Sequence, residues 1–269
     1  MKTSQASVDS TLTRAVSAGI ISAQSQQAIA TELDDIAIAG CGGVDIDEID
    51  SEEVTLVTVI IDASGSMEPF AAEVLTQYKE QFLLPLQGAK NAASLLVSVW
   101  VFSDDGGEKV RLVHGYTPIP DCKGLTKADY NPSGMTPLRD AVMKGVTGLV
   151  NYGQTLRDNG TRTKSIVLVL SDGLENASNV SGAKVKRLSE DVLRAQEFVL
   201  SYIFFGDKSE GDKAAKEIGF PLHHRLTDNL DSSGIRRVFG TVSASVISTS
   251  QSVVSAASIS SNPFFGGNK

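Results

Sequence analysis

Cysteine is nearly absent: Cys41 and Cys122 are the only two among 269 residues, and their separation matches no metal-ligand spacing. They suggest no disulfide framework, and a reducing compartment suits them. No apolar run is long enough to span a bilayer, and Lys2 is followed by Thr, Ser, Gln and Asp rather than by the apolar core of a secretion signal. The expectation is a cytoplasmic protein without membrane contact. Bases are in deficit, with 24 Lys and Arg against 32 Asp and Glu and a net charge of −8. That balance argues against nucleic acid as a partner, because phosphate contacts need clustered Lys and Arg. Lys184, Lys186, Arg187 and Arg194 are interleaved with Glu190 and Asp191 and read as one solvated helix face.

What the chain does have is apolar content of 41%, enough for one substantial core. Its most informative stretch is Val54-Thr-Leu-Val-Thr-Val-Ile-Ile-Asp62-Ala-Ser64-Gly-Ser66-Met67. The β-branched run reads as a central parallel strand covered on both faces, and ligands of open α/β sheets collect beyond the carboxyl ends of such strands. Asp62, Ser64 and Ser66 alternate with the small Ala63 and Gly65. A sharp loop can then turn three oxygens inward, as a hard cation such as Mg²⁺, bound at about 2.1 Å, requires. The plain alternative is a turn with a helix cap.

Two further segments carry the same chemistry. Pro132-Ser-Gly-Met-Thr136-Pro137-Leu138-Arg-Asp140 brings Thr136 to a helix start, where it could also serve as an ordinary cap. Lys164-Ser-Ile-Val-Leu-Val-Leu-Ser171-Asp172-Gly173 is a second buried strand ending in a carboxylate, where a simple Asx turn is the alternative. All three are chain turns bearing only hydroxyl or carboxylate oxygen.

With Asp62, Ser64, Ser66, Thr136 and Asp172 in place, the chain from about Glu53 to Ser261 resembles a von Willebrand factor A (vWA) domain with its metal-ion-dependent adhesion site. Through Gly134-Met-Thr136-Pro-Leu-Arg-Asp140, Ser171-Asp172-Gly173-Leu-Glu175-Asn176 and the Ser-rich final helix, it most resembles stand-alone bacterial members of the tellurium-resistance type. The resemblance implies a doubly wound α/β fold. It also implies one Mg²⁺ or Mn²⁺ on the five residues, with Ser64, Ser66 and Thr136 as direct ligands and the two Asp residues acting partly through water. The function implied is capture of an Asp or Glu side chain offered by a protein partner. Related proteins work beside AAA ATPases, kinases or phosphatases.

The expected organisation is a helical extension over 1–37, an acidic linker over 38–53, the vWA domain over 54–261 and a tail over 262–269. The linker carries Asp45, Asp47, Glu48, Asp50, Glu52 and Glu53 without a base, and reads as solvated, with a looser possibility that it reaches the metal in cis. Within the domain the patterns predict a helix over Pro69–Leu84, a strand over Leu95–Phe102, a turn at Asp104-Asp-Gly-Gly and an antiparallel edge strand near Lys109–Val113. They then predict helix Pro137–Arg157, strand Ser165–Leu170, helix Ala183–Glu197, strand Phe198–Phe205 and helix Gly211–Ile218. This alternation implies a mostly parallel sheet with helices on both faces. Phe239, Val242, Val246, Val253 and Ala257 form the stripe of a packing helix, and Phe264-Phe265 are expected in a frayed tail that could dock elsewhere.

An enzyme is the weaker reading. A haloacid-dehalogenase-like phosphatase would want a carboxylate where Ser64 stands, and a serine hydrolase would want glycines at positions 62 and 66. His114, His223 and His224 lie in no catalytic motif, and no general base pairs with a nucleophile. A structural assembly component that retains the site, in a phage particle or stress-response complex, is the other alternative to metal-linked protein binding.

Overall fold

The computed structural model of the chain describes residues 4–195, 197–252 and 263–266. Among these, six strands build one sheet: β1 (Glu53–Asp62), β2 (Leu95–Phe102), β3 (Val110–Pro118), β4 (Arg162–Ser171), β5 (Phe198–Phe205) and β6 (Arg225–Asp228). Their spatial order is β3-β2-β1-β4-β5-β6. Each neighbouring pair is parallel except β2 with β3, so the expected mostly parallel sheet with one antiparallel edge is what forms.

Strand alternation divides the apolar side chains between two layers. Leu56 and Ile60 of β1, with Trp100, Val169 and Phe204, face α1 (Gln5–Ser17), α2 (Ala23–Glu32), α6 (Leu138–Asp158), α7 (Gly182–Arg194) and α8 (Lys208–Glu217). Val57, Val59 and Ile61, with Val99 and Leu168, face α4 (Ala71–Gln77), α5 (Leu84–Gln87) and α9 (Ser232–Gln251). The short α3 (Asp35–Gly40) lies against β3 and α6. Central strands are covered on both faces, which is why β1 reads as one apolar run.

The N-terminal helices belong to this core. Val8, Leu12 and Ala15 have no exposed surface. The Asp191 carboxylate of α7 accepts from Ser22 N at 2.8 Å, Ser22 Oγ at 2.5 Å and Ser25 Oγ at 2.6 Å, so α2 begins on a side chain from another helix. Ion pairs Arg14–Asp158 and Lys184–Glu32, both 2.6 Å, and Lys144–Asp34 tie the layer down.

Between α3 and β1, Val44 N donates to Tyr116 O and Tyr116 N to Gly42 O, so the chain runs beside the edge strand β3. The acidic run then enters the amino end of β1, about 30 Å from Asp62 at 3.3 Å per residue. That placement does not support its reaching the metal in cis. At the same end of the sheet, the buried Lys164 ammonium pairs with Glu53 at 2.8 Å and donates to the Ser250 and Ser252 carbonyls, closing the last turn of α9.

Four expectations are corrected. The helix expected over Pro69–Leu84 is a 3₁₀ turn (Gly65–Phe70), α4, a π-helical turn (Tyr78–Leu83) and α5, because Pro69 and Pro85 each lack a donor and the π turn carries Tyr78 and Phe82 against Phe239. The edge strand runs on to Pro118, extended by its pairing with β2 as far as Leu96. β6 and α3 are additional: both are short, and neither carries a clear apolar period. Phe264 and Phe265, 6% and 8% exposed, pack into the α9-side core rather than fraying. Phe239, Val242 and Val246 are buried as expected, while Val253 and Ala257 lie outside the described residues.

Candidate metal centre

The parallel register sets Ile61 beside Leu170, so β1 and β4 end together, with Asp62 next to Ser171. Ser171 Oγ donates to Asp62 Oδ2 at 2.5 Å, and Ser64 N donates to Asp62 Oδ1 at 2.8 Å. The 3₁₀ turn after Ser64 folds Ser66 back over the strand end. Ser64 Oγ lies 3.3 Å from Ser66 Oγ, which donates to Asp172 Oδ1 at 2.9 Å. A Cβ built on Gly173 would stand 3.0 Å from Thr136 Oγ1, which puts that hydroxyl directly over the residue after Asp172. Contacts therefore link Asp62, Ser64, Ser66 and Asp172, and Thr136 lies over Gly173 beside them.

The loop that carries Thr136 is held from both sides. Ser133 N donates to Ala63 O at 2.8 Å, Gly65 N to Gly134 O at 3.0 Å, and Asp104 and Met135 exchange two backbone bonds of 2.9 Å. Gly134 makes this possible: its φ is +70°, and a Cβ there would stand 2.0 Å from Asp104 O. Below the cluster, Tyr130 OH donates to Asp62 O at 2.8 Å.

Neither Ser64 nor Thr136 is spent on capping, contrary to the plain alternative. Ser64 opens the 3₁₀ turn without a side-chain capping bond, and α6 begins at Leu138 behind Pro137 rather than behind Thr136. The first donors of α6 go elsewhere: Arg139 N to Glu175 Oε2 at 2.8 Å and Asp140 N to Ser178 Oγ at 3.1 Å. Asp140 in turn accepts from Asn179 N and Val180 N, at 3.1 and 2.8 Å. Asn176 grips Thr136 reciprocally, its Oδ1 accepting from Thr136 N at 2.8 Å and its N–H donating to Thr136 O at 3.2 Å. The segment from Asp172 to Val180 is thus a strap that fixes Thr136 relative to Asp172.

Electrostatics give the cluster its chemical character. Asp62 has no exposed surface. Burial pushes its carboxyl up to about 6, against the partial opposition of the Ser171 and Ser64 hydrogen bonds, and the charge of Asp172 adds a little more. Burial also raises Asp172. Among the described residues no Lys or Arg pairs with either carboxylate. Two acidic groups and three hydroxyls without a basic counter-charge fit a hard, oxygen-seeking cation, and an uncompensated buried carboxylate is costly without one. Among the described residues no group of three or more His, Cys, Asp or Glu could hold a metal, so a cation here would depend on the three hydroxyls beside the two carboxylates.

Four further residues shape the site: Ser171, Tyr130, Glu175 and Asn176. Their sequence signal is weak, because each acts through the partner the fold supplies and none is itself a spaced ligand.

No family profile and no curated protein sequence matches the chain. Solved structures do share its fold. The pilus adhesin SpaC from Lactobacillus rhamnosus GG, in its open conformation, aligns with 75% of this chain at 14% identity and a TM-score of 0.55. The chain spans 31% of that adhesin. The PilB minor pilin from Streptococcus sanguinis aligns with 75% of this chain and 63% of its own at 11% identity, TM-score 0.52. The SpRpn10 VWA domain aligns over its whole length with 75% of this chain, at 9% identity and a TM-score of 0.46.

Proposed function

We propose that this chain is a vWA-type protein-binding module in which Asp62, Ser64, Ser66, Thr136 and Asp172 hold one Mg²⁺ or Mn²⁺. The observation that carries this reading is the convergence of five oxygen-bearing residues from three loops, four of them joined by hydrogen bonds and Thr136 lying over Gly173 beside them, with two hydroxyls free of capping duty. A divalent ion bound there supplies Lewis acidity and an open position for an anionic ligand. The chain itself orients the donors, through the strap and the β1–β4 register, and leaves Ser66 exposed at the rim. In the vWA arrangement Ser64, Ser66 and Thr136 would coordinate directly and Asp62 and Asp172 partly through water, so the ion's direct ligands would be mostly neutral, which favours an Asp or Glu side chain from a protein partner despite the net charge of −8.

The solved neighbours described as a pilus adhesin and a minor pilin are in keeping with a binding or assembly role. His114 lies in the edge strand and His223 and His224 in the turn before β6, so none follows the strand ends that carry the cluster, and we read the chain as non-enzymatic. Both thiols are buried and free, which suits a cytoplasmic setting. Among the described residues no helix is long and apolar enough to cross a membrane. The tellurium-resistance-type affinity rests on the segments from Gly134 to Asp140 and from Ser171 to Asn176 and on the Ser-rich final helix, and it makes a complex with an AAA ATPase, kinase or phosphatase the setting to probe.

Titration calorimetry of the chelator-treated protein tests the proposal. One Mn²⁺ or Mg²⁺ should bind with measurable heat, and Asp62→Ala should abolish it. Undiminished binding in that variant overturns the assignment.

A further inference from the structure

Large apolar side chains are rarely exposed on this molecule: among the described residues they are Leu84, Met135, Leu174 and Leu222. Two of these four, Met135 at 50% and Leu174 at 39% exposure, belong to the loops that form the proposed metal site. Met135 immediately precedes Thr136. Leu174 follows Gly173, over which the Thr136 hydroxyl lies, and precedes Asn176, which grips the Thr136 backbone. Both backbones are pinned, Met135 by its paired bonds to Asp104 and the strap by Glu175 and Asn176, so the exposure is built into the loops.

The opposite character borders them. Glu68 is exposed just beyond Ser66, and exposed Asp105 accepts from Ser133 Oγ beside the Thr136 loop. A partner bringing further negative charge near its own carboxylate would meet repulsion there, whereas an apolar neighbour would find Met135 and Leu174.

We infer that Met135 and Leu174 form a specificity surface for an acidic residue flanked by apolar side chains in an exposed segment of the partner. The inference rests on the proposed metal site. The carboxylate takes the open position on the ion, and the flanking side chains cover the two apolar groups beside it. Charge selects the acid and the flanks select its context.

Two end-blocked synthetic peptides test this, Gly-Leu-Asp-Leu-Gly and Gly-Gly-Asp-Gly-Gly, titrated against the full chain by NMR with Mg²⁺ and with chelator. The leucine-flanked peptide should bind about tenfold more tightly in Mg²⁺, the size expected from covering two apolar side chains. Met135→Ser/Leu174→Ser should remove that preference, with Mn²⁺ affinity measured on the same variant as the control for an intact ligand cluster. Equal binding of the two peptides, or a preference that survives the double substitution, overturns the specificity surface. If the glycine-flanked peptide binds only with Mg²⁺ and leucine adds nothing, the metal-site reading stands while this inference falls. If leucine adds affinity equally in chelator, the apolar surface stands without the metal. Binding of neither peptide under any condition sinks both.

Discussion

In the metal-free protein the Asp62 carboxyl, pushed up to about 6 by burial, holds its proton in a pH range where the unfolded chain has lost it. The associated stability is fully present below the unfolded value near 3.8 and is lost as pH rises through about 6. At neutral pH the ionised buried group therefore costs on the order of 3 kcal/mol, which a bound cation would offset. Asp62→Asn removes the charge and keeps an acceptor for Ser64 N. We expect this variant to melt higher than the wild type in chelator at pH 7.5, with the gain shrinking towards pH 4.5 and absent when the wild type is saturated with Mn²⁺. A calorimetric gain that does not vary with pH would show that Asp62 is not strained by its charge. The five residues proposed to hold the metal stood out in the sequence because their spacing is strict and their type is restricted to oxygen. Ser171 was visible only as the end of a strand, because its contact with Asp62 depends on a register that no local pattern encodes.

Between β4 and α7 the strap from Asp172 to Val180 converts two separate loops into one body. Asn176→Ala removes the acceptor for Thr136 N while leaving its own backbone donor in place. Metal affinity should fall about 10- to 100-fold, as is typical when a group that orients a ligand is lost. Asn176→Asp, which retains an acceptor oxygen, should recover most of it. Mn²⁺ titration beside the melting temperature in chelator separates the roles: a large drop in melting temperature with unchanged affinity would make the strap merely structural. Element types and most strand positions were legible because β1, β2, β4 and β5 are long and apolar. The break at Pro69–Leu84 was not, since the π turn forms against α9, an element that arrives about 160 residues later along the chain. β6 escaped because four half-buried residues at a sheet edge need no apolar period.

Across the whole molecule, the extension expected over 1–37 and the domain expected over 54–261 share one core. Leu12 is fully buried between the sheet-facing helices, so Leu12→Ala should lower stability by about 3 kcal/mol, within the range for a buried leucine that leaves a cavity. Denaturant unfolding should show this loss in a single transition. Two transitions, with the mutation confined to one, would mean that the helices fold apart from the sheet. Sequence reading missed this union because α1 is only weakly amphipathic and its partners on α6 lie more than a hundred residues away.

The placement of β1 also has a mechanical meaning. The chain enters this strand at Glu53, held by Lys164, and leaves it at Asp62, where a partner would be gripped. Tension applied between Glu53 and that partner would run along the strand axis. Its parallel neighbours β2 and β4 flank it over registers reaching from Thr55 to Asp62 and from Glu53 to Ile61. Those hydrogen bonds would be loaded together in shear rather than peeled open one at a time, so under load the grip at the metal should release before the strand that carries it.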